Sequence, residues 1–319
     1  MNQPHLSRLS LGTMTFGDTV DADTAATMLD VALDAGVTMI DTANGYAGGA
    51  TESMLAHLLP ARRNRRIVLA TKAGMPHPDA GDDPPLSPRA LRASVDGSLR
   101  RLGVDRVDLF YLHQPDRATP LAETLAVVAE LVEAGKIGSL GVSNFAAWHI
   151  GAVNAAADAA GAPRPFVAQQ LYNLVARRVE EEYFEFATTT GLATMVYNPL
   201  GGGLLTGRHQ FGERPEHGRF GDSRLAAMYT ERYWNAELFA GIEALARIAE
   251  QAGIGLAELA LRWLLGQDRV SSVLLGGSKV AHLQANLAAA EKGPLAADVT
   301  TACDEVGARL RGPMPAYHR

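Results

Sequence analysis

Short apolar runs alternate along the chain with longer stretches in which apolar residues recur at helical spacing. Such short runs, rich in aliphatic and β-branched residues, are typical of strands buried on both faces of a sheet. The stretch 37–46 shows the pattern clearly, because Val37, Met39 and Ile40 are followed at once by polar residues. The predicted strands are 6–16, 37–40, 67–71, 107–112, 137–142, 166–168, 193–196 and 270–275.

The stretches between these runs carry the start and stop signals of helices. Ser87 followed by Pro88 is a typical helix start, and Gly36 follows a helical pattern as a stop residue. The segment 199–233 is predicted as a long loop, because it is rich in glycine and arginine. The predicted helices are 23–35, 52–59, 88–102, 121–134, 146–160, 179–190, 236–251, 256–265 and 280–290.

The order of these elements predicts the fold class. Strands that alternate with helices of this length form βαβ units and a parallel sheet. Eight such units in 319 residues predict an α/β fold, a single (β/α)8 TIM barrel with an N-terminal β-hairpin and extra helices in its C-terminal part. No G-x-G-x-x-G follows the first strand, which argues against an open dinucleotide-binding sheet. We expect one domain, 1–319.

Composition narrows the possible partners and the cellular compartment. The chain is 47% hydrophobic and has a formal net charge of -6, which is ordinary for a globular protein and gives no support for nucleic-acid binding. Cys303 is the single cysteine, so no intrachain disulfide can form. The first ten residues contain no apolar core of a signal peptide, and no apolar run approaches the length of a membrane span. The sequence therefore predicts a cytoplasmic protein without membrane contact.

Four chemically active side chains follow three consecutive predicted strands. They are Asp41, Tyr46, Lys72 and His113. The carboxyl ends of the strands in a parallel barrel all meet at the catalytic face, so these side chains are expected on one rim. Ordinary roles remain open to each of them, because an acid after a strand can cap a helix and a tyrosine or histidine can belong to the core.

Together these four residue types suit the protonation of a carbonyl oxygen. A tyrosine has a pKa near 10, and a neighbouring ammonium such as that of Lys72 lowers it. Asp41 would keep Lys72 charged and oriented, and His113 would hydrogen bond the carbonyl oxygen. None of these groups supplies two electrons, and the sequence contains no H-E-x-x-H or comparable metal-ligand cluster, so a bound hydride carrier is expected.

Six motifs in the same order resemble the aldo-keto reductase superfamily between about 12 and 290. They are D-T-A-N-G-Y, A-T-K, D-L-F-Y-L-H, G-V-S-N-F, Y-N-P-L-G-G-G-L-L-T-G and L-L-G-G-S-K…N-L. The resemblance implies that Tyr46 is the proton donor and that Asp41, Lys72 and His113 complete a catalytic tetrad. It also implies that NADP(H) lies extended across the mouth of the barrel.

The same resemblance implies a set of cofactor contacts. Ser143, Asn144 and Gln169 would hold the carboxamide, and Tyr197, followed by Asn198, would stack on the nicotinamide. Leu200, Gly202 and Arg208 match the loop over the pyrophosphate, and Gly276, Ser278, His282 and Asn286 match positions near the adenosine. Arg208, Arg219 and Lys279 offer positive charge for a 2′-phosphate, although each could also be a solvated surface charge. Relatives often carry Gln or Glu where His282 stands.

Several further segments are similar to the aflatoxin-aldehyde and succinic-semialdehyde reductase branch. They include R-V-D-L-F-Y-L-H-Q-P-D, G-R-F, E-R-Y-W and the C-terminal P-A-Y-H-R. In that branch, arginines of the long loop and of the chain end meet carboxylate-bearing substrates, and Arg232 and Arg319 match them here. A guanidinium suits a carboxylate, although a last residue is by default a solvated tail.

These observations lead to one main hypothesis and two alternatives. The main hypothesis is an NADPH-dependent reductase of a small-molecule aldehyde or ketone, with a homodimer possible. The first alternative is a nucleotide-binding regulatory or sensor protein with little turnover, because residues 272–276 resemble the potassium-channel β subunits of this superfamily. The second is a lyase that forms a Schiff base through Lys72, since barrels support many chemistries.

Overall fold

A computed structural model describes residues 3–223 and 225–312 of the chain. Its eight parallel strands pair in sequence order and close into a barrel, with the eighth strand pairing to the first. This architecture confirms the predicted (β/α)8 fold. The strands are β1 (Leu9–Gly12), β2 (Met39–Asp41), β3 (Val68–Ala73), β4 (Val107–Leu112), β5 (Ile137–Ser143), β6 (Val167–Leu171), β7 (Ala193–Tyr197) and β8 (Ser272–Leu275).

Helices cover the outside of the barrel. Three helices end at a glycine in the left-handed region, at Gly103, Gly161 and Gly191. The helices are α1 (Ala22–Asp34), α2 (Ala50–Leu58), α3 (Pro88–Leu102), α4 (Leu121–Glu133), α5 (Ala147–Ala160), α6 (Tyr183–Thr190), α7 (Ala226–Tyr233), α8 (Ala236–Gln251), α9 (Leu256–Leu265), α10 (Val280–Glu291) and α11 (Ala297–Arg311).

The core has two layers. A large cluster fills the space between strands and helices, and a smaller one, including Met39, Ala70 and Tyr111, fills the barrel interior. Because side chains alternate along a strand, Asp41 shares the inward face with Met39, and Lys72 shares it with Ala70. The strand register pairs Asp41 with Ala70 and Lys72 with Tyr111. An acid and an amine thus enter the upper end of the barrel interior.

The predicted N-terminal β-hairpin is wrong for the described residues from Gln3 onward. The first strand there is β1, and no strand pairs before it in that part of the chain. Side chains hold this segment instead. Ser7 Oγ donates to the Leu9 carbonyl and accepts from the Thr38 amide, while the guanidinium of Arg8 donates to the Val270 and Leu265 carbonyls.

The C-terminal third contains two helices that the pattern analysis did not predict. Helix α7 lies inside the segment predicted as a long loop, and α11 follows the helix predicted to be last. Helix α11 packs against α8, where Leu310 lies against Gly241. Helix α6 begins at Tyr183, four residues after its predicted start, because a short 3₁₀ turn, Arg178–Glu180, precedes it. No helix in residues 3–223 and 225–312 is long and apolar enough to span a membrane.

Candidate active site

The ends of β2, β3 and β4 bring four side chains together at the mouth of the barrel. Asp41 closes β2, and Tyr46 follows it in the 3₁₀ turn Tyr46–Gly49. Lys72 lies inside β3 rather than after it, and His113 follows β4 directly. Because these three strands are neighbours in the barrel, the predicted grouping of the four residues is reproduced.

Lys72 is the centre of this group. Its ammonium donates hydrogen bonds to a carboxylate oxygen of Asp41, to the Thr42 carbonyl at 2.7 Å and to the Tyr46 hydroxyl at 3.4 Å. The side chains of Lys72 and Asp41 have no solvent exposure, whereas Tyr46 keeps part of its surface open. The arrangement buries an ion pair beneath a phenol that remains accessible from the mouth.

The backbone after Tyr46 is bent by three consecutive left-handed residues. Ala47, Gly48 and Gly49 have φ values of 45°, 63° and 97°. Glycine adopts this conformation freely, but Ala47 does so at a cost of about 1–2 kcal/mol. The bend leads directly into α2 and holds the Tyr46 ring edge-to-face with His113, at 6.0 Å between ring centroids.

Burial and charge act in opposite directions on the buried groups. Burial raises the pKa of Asp41 against the effect of Lys72, while Asp41 and Tyr46 keep the pKa of Lys72 above its ordinary value despite burial. The pKa of Tyr46 is also raised, because its removal from water outweighs the opposing charge of Lys72. The expectation of a net lowered tyrosine pKa is therefore wrong for this state of the protein, and the phenol keeps its proton at neutral pH.

His113 is neutral for the same physical reason. Burial, with a smaller contribution from the charge of Lys72, lowers its pKa to about 3. Its Nδ1 is buried without a hydrogen-bond partner among the described residues. A neutral imidazole in this position can donate an N–H to an uncharged carbonyl oxygen without adding a positive charge to the site.

The residues predicted to hold a carboxamide are linked to one another. Asn144 Nδ2 donates to Ser143 Oγ at 3.0 Å and to the His113 carbonyl at 3.0 Å, and Asn144 Oδ1 accepts from the Tyr197 hydroxyl at 2.7 Å. Gln169 lies in β6 and its Nε2 donates to Asp41 Oδ2 at 2.9 Å. Burial raises the pKa of Tyr197 to about 12, so its phenol is neutral. These residues therefore adjoin the Lys72 group.

A second hydrogen-bonded group anchors the segment that follows β7. Asn198, in the left-handed region at φ 59°, accepts from the Gly202 amide at 2.6 Å and donates to the Tyr233 hydroxyl at 2.8 Å. Asn173 Nδ2 donates to the Asn198 carbonyl at 2.8 Å. Asn173 and Tyr233 were not among the predicted site residues. Their signal was present in the motifs L-Y-N-L and E-R-Y-W, but Tyr233 becomes relevant only through α7.

Basic residues from two distant segments act electrostatically on the first turn of α10. Lys279 precedes its first residue, and the first turn holds no acidic residue. Burial lowers the pKa of His282, and the charges of Arg208 and Lys279 lower it further, so both cations lie within electrostatic range of this imidazole. Residues Gly276 and Ser278 lead into this helix from β8, and Asn286 is buried within it. A helix N-terminus with added positive charge favours a phosphate group.

The remaining predicted arginines lie elsewhere. The guanidinium of Arg219 lies 5.1 Å from the ring centroid of Tyr229, and that of Arg232 lies 5.8 Å from the same ring. Arg219 and Arg232 thus both lie against the ring of Tyr229. Arg319 lies outside the described residues.

Comparisons with known proteins agree with this geometry. A model of the aldo/keto reductase family matches residues 8–308. The chain is 38% identical to aldo-keto reductase family 7 member A3 of Homo sapiens, over 97% of this chain and 96% of the relative. It is 37% identical to aflatoxin B1 aldehyde reductase member 4 of Homo sapiens, over 96% of each chain. A probable voltage-gated potassium channel subunit beta of Arabidopsis thaliana is 32% identical, over 91% of this chain and 89% of the relative.

Proposed function

The chain belongs to the aldo/keto reductase family and is an oxidoreductase of carbonyl compounds, and we propose that it reduces an aldehyde or ketone to an alcohol with NADPH. The observation that carries this proposal is the contact between Lys72 Nζ and the Tyr46 hydroxyl at the mouth of the barrel. A protonated phenol beside an ammonium that Asp41 keeps protonated is suited to give a proton to a carbonyl oxygen.

The four tetrad residues divide the work of proton transfer. His113 donates an N–H to the carbonyl oxygen, which orients the substrate and polarises its C=O bond. Tyr46 then delivers its proton to this oxygen, and Lys72 stabilises the phenolate that forms. Asp41 keeps Lys72 protonated, since an unpaired ammonium at this depth would lose its proton. A reduced nicotinamide, when bound, supplies the hydride that the carbonyl carbon accepts.

The residues around the mouth fit a nicotinamide dinucleotide phosphate. Ser143, Asn144 and Gln169 would hold the carboxamide, and the ring of Tyr197 would support the nicotinamide. The glycine run Gly201–Gly203 has no side chains that would keep a pyrophosphate away from the backbone, and Gly202 and Gly203 have φ values of 71° and 109° that glycine adopts freely.

The adenosine end supports NADP over NAD. Arg208 and Lys279 bring positive charge to the N-terminus of α10, beside the neutral imidazole of His282, and a 2′-phosphate would be paired there. Leu200, Gly276, Ser278 and Asn286 remain proposed contacts by family resemblance.

For the substrate we propose an aldehyde, as named for the aflatoxin B1 aldehyde reductases that the chain resembles. Arg219 and Arg232, whose guanidinium groups lie 5.1 Å and 5.8 Å from the ring centroid of Tyr229, would favour an aldehyde that also carries an anionic group. We retain for Arg319 the predicted contact with the anionic group of the substrate. The Schiff-base alternative is disfavoured, because a raised pKa leaves Lys72 protonated and not nucleophilic.

The test is NADPH consumption against a panel of carboxylated and uncharged aldehydes, with wild type and Tyr46→Phe. We expect turnover in the wild type that the variant loses. Tight NADPH binding without consumption of any aldehyde would favour the sensor alternative. Equal activity in the two proteins would contradict the proposed role of Tyr46.

A further inference from the structure

A chain of hydrogen-bonded polar and charged side chains, fully buried only at its Glu52 and Thr71 end, runs behind the candidate site and ends next to Lys72. Thr71 Oγ1 donates to Glu52 Oε1 at 2.6 Å, and Glu52 Oε2 accepts from Arg101 Nε at 2.8 Å. The guanidinium continues to Asp79, with contacts of 2.8 Å and 3.2 Å to its two carboxylate oxygens. Glu52 is 0% exposed and Thr71 is 1% exposed. We call these four residues, Thr71, Glu52, Arg101 and Asp79, the Glu52 network.

The Glu52 network joins the two segments that carry the proposed acid and its ammonium. Glu52 lies in the first turn of α2, which continues directly from the turn that begins with Tyr46. Thr71 precedes Lys72 in β3 and, by strand alternation, points outward to α2 while Lys72 points inward. The hydrogen bond between Thr71 and Glu52 is therefore a direct link between the Lys72 strand and the Tyr46 segment.

Close backbone contacts leave the network little room to shift. A Cβ atom at Gly49 would lie 2.8 Å from Arg101 Cδ, and one at Gly97 would lie 2.3 Å from Asp79 Oδ2. A side chain larger than hydrogen at Gly49 would displace Arg101, and one at Gly97 would displace Asp79. The guanidinium of Arg101 thus lies between the carboxylates of Glu52 and Asp79, and the Arg101 side chain also packs against the backbone at Gly49.

The energetics favour a role in geometry over one in stability. The cost of removing a carboxylate and a guanidinium from water largely offsets their attraction, so a buried ion pair contributes little net stability. The directional hydrogen bonds of the Glu52 network nevertheless fix the position of α2 relative to β3. We propose that Thr71, Glu52 and Arg101 are positioning residues that set the separation of Tyr46 and Lys72, a proposal that rests on the reductase function proposed above.

Thr71→Val tests this link with the smallest change of shape. The variant removes the hydroxyl but keeps the branched side chain and leaves Glu52 paired with Arg101. Because misplacement of a reacting group by about 1 Å can cost roughly 100-fold in rate, we expect kcat to fall about 10- to 100-fold. The KM for NADPH should not change, since no proposed cofactor contact is altered.

The pH profile separates positioning from a general loss of stability. The charge of Lys72 opposes the raised pKa of Tyr46, and this opposition weakens if the two groups move apart. The alkaline limb of kcat, where Tyr46 loses its proton, should then move to higher pH in Thr71→Val. Thr71→Ser restores the hydroxyl and should restore both kcat and the profile.

The chain offers a matched control in β7. Thr194 is also buried in a strand, and its hydroxyl is hydrogen bonded at 3.0 Å to the Tyr183 hydroxyl of α6. Thr194→Val removes a strand-to-helix hydrogen bond between two hydroxyl groups, at a distance in the chain from Tyr46 and Lys72. We expect a decrease in the free energy of unfolding, with kcat and its pH profile unchanged.

The outcomes distinguish this proposal from the one it rests on. A wild type without Tyr46-dependent turnover would overturn both. Tyr46-dependent turnover, with Thr71→Val behaving like Thr194→Val or with Thr71→Ser no better than Thr71→Val, would overturn only the positioning role. If Thr71→Val does not fold, Arg101→Lys replaces it, because a lysine cannot reach both carboxylates. That variant should show the same alkaline shift with a smaller loss of kcat, and an unchanged profile would overturn the proposal.

Discussion

The ammonium nitrogen of Lys72 lies 3.4 Å from the Tyr46 hydroxyl oxygen, although the two residues are 26 positions apart in the chain. Tyr46 belongs to the turn after β2 and Lys72 to the interior of β3, so the contact exists only once these strands have paired. The free protein holds a neutral phenol, and Lys72 is placed to stabilise the charge that appears when this phenol gives up its proton.

Replacing Tyr46 by phenylalanine removes the proton donor with little change of shape. We expect Tyr46→Phe to lower kcat by roughly 10² to 10⁴, the usual contribution of a positioned general acid. NADPH binding, measured by quenching of protein fluorescence, should be retained, since the hydroxyl touches no proposed cofactor contact. A variant that loses NADPH binding as well as turnover would indicate a structural role for Tyr46 instead.

Loss of Lys72 alone should destabilise the protein more than loss of both charges of the buried Lys72–Asp41 pair. Lys72→Met leaves Asp41 charged and unpaired inside the barrel, and breaking such a pair costs roughly 3–5 kcal/mol of unfolding free energy. The double variant Asp41→Asn/Lys72→Met removes both charges and should recover much of this loss without recovering turnover. Denaturant unfolding of the single and double variants measures the recovery. Equal stability of the two would contradict the proposed pairing.

His113 should make the stability of the protein depend on pH in the acid range. Its pKa is about 3 in the folded state and 6.5 ordinarily, so between these values the unfolded chain binds the extra proton. The unfolding free energy should therefore fall as pH decreases through this window, by up to about 1.4 kcal/mol per pH unit from this residue, and should be unaffected above it. His113→Gln should flatten the dependence in urea unfolding measured between pH 4 and 7. Parallel curves would contradict a buried neutral imidazole.

Lys279 should contribute to the choice between NADPH and NADH. Lys279→Met removes a charge at the N-terminus of α10, and we expect about tenfold weaker NADPH binding with little change for NADH. Lys292, which ends the same helix and donates to Glu258 at 2.7 Å, provides the control, because Lys292→Met makes the same change of net charge elsewhere. Equal effects of the two substitutions on NADPH binding would remove the argument for a 2′-phosphate site.

The repeating pattern of apolar runs and helical stretches was sufficient to predict the barrel. Strand β4 and helices α3, α8 and α9 have the bounds expected from sequence, because their patterns are regular and their start and stop signals are clear. Helix α7 was not predicted, because it lies at the end of a segment rich in glycine and arginine that is typical of a loop. Helix α11 and the side-chain anchoring of Arg8 depend on tertiary contacts that no local pattern encodes.

The four residues proposed as a tetrad could be grouped from sequence because each lies in or just after the carboxyl end of a strand, and these ends share one face of the barrel. The direction of the Tyr46 pKa could not, since it depends on how completely the barrel withdraws the phenol from water. The position of Arg219 could not be predicted either. Its charge is evident from the sequence, but its contact with Tyr229 depends on how the segment 199–233 folds. The burial of Glu52 could not be predicted, because an isolated glutamate in a helix pattern is usually solvated.

The circular order of the strands has a practical consequence. The groups proposed for proton transfer come from the segments after β2, β3 and β4, and those proposed to hold the dinucleotide follow β5 through β8. The proposed proton transfer and the proposed dinucleotide binding thus use opposite sides of the barrel. Segments grafted from a relative onto the β5–β8 side should therefore change the coenzyme preference and leave the proton-transfer chemistry of the β2–β4 side unchanged.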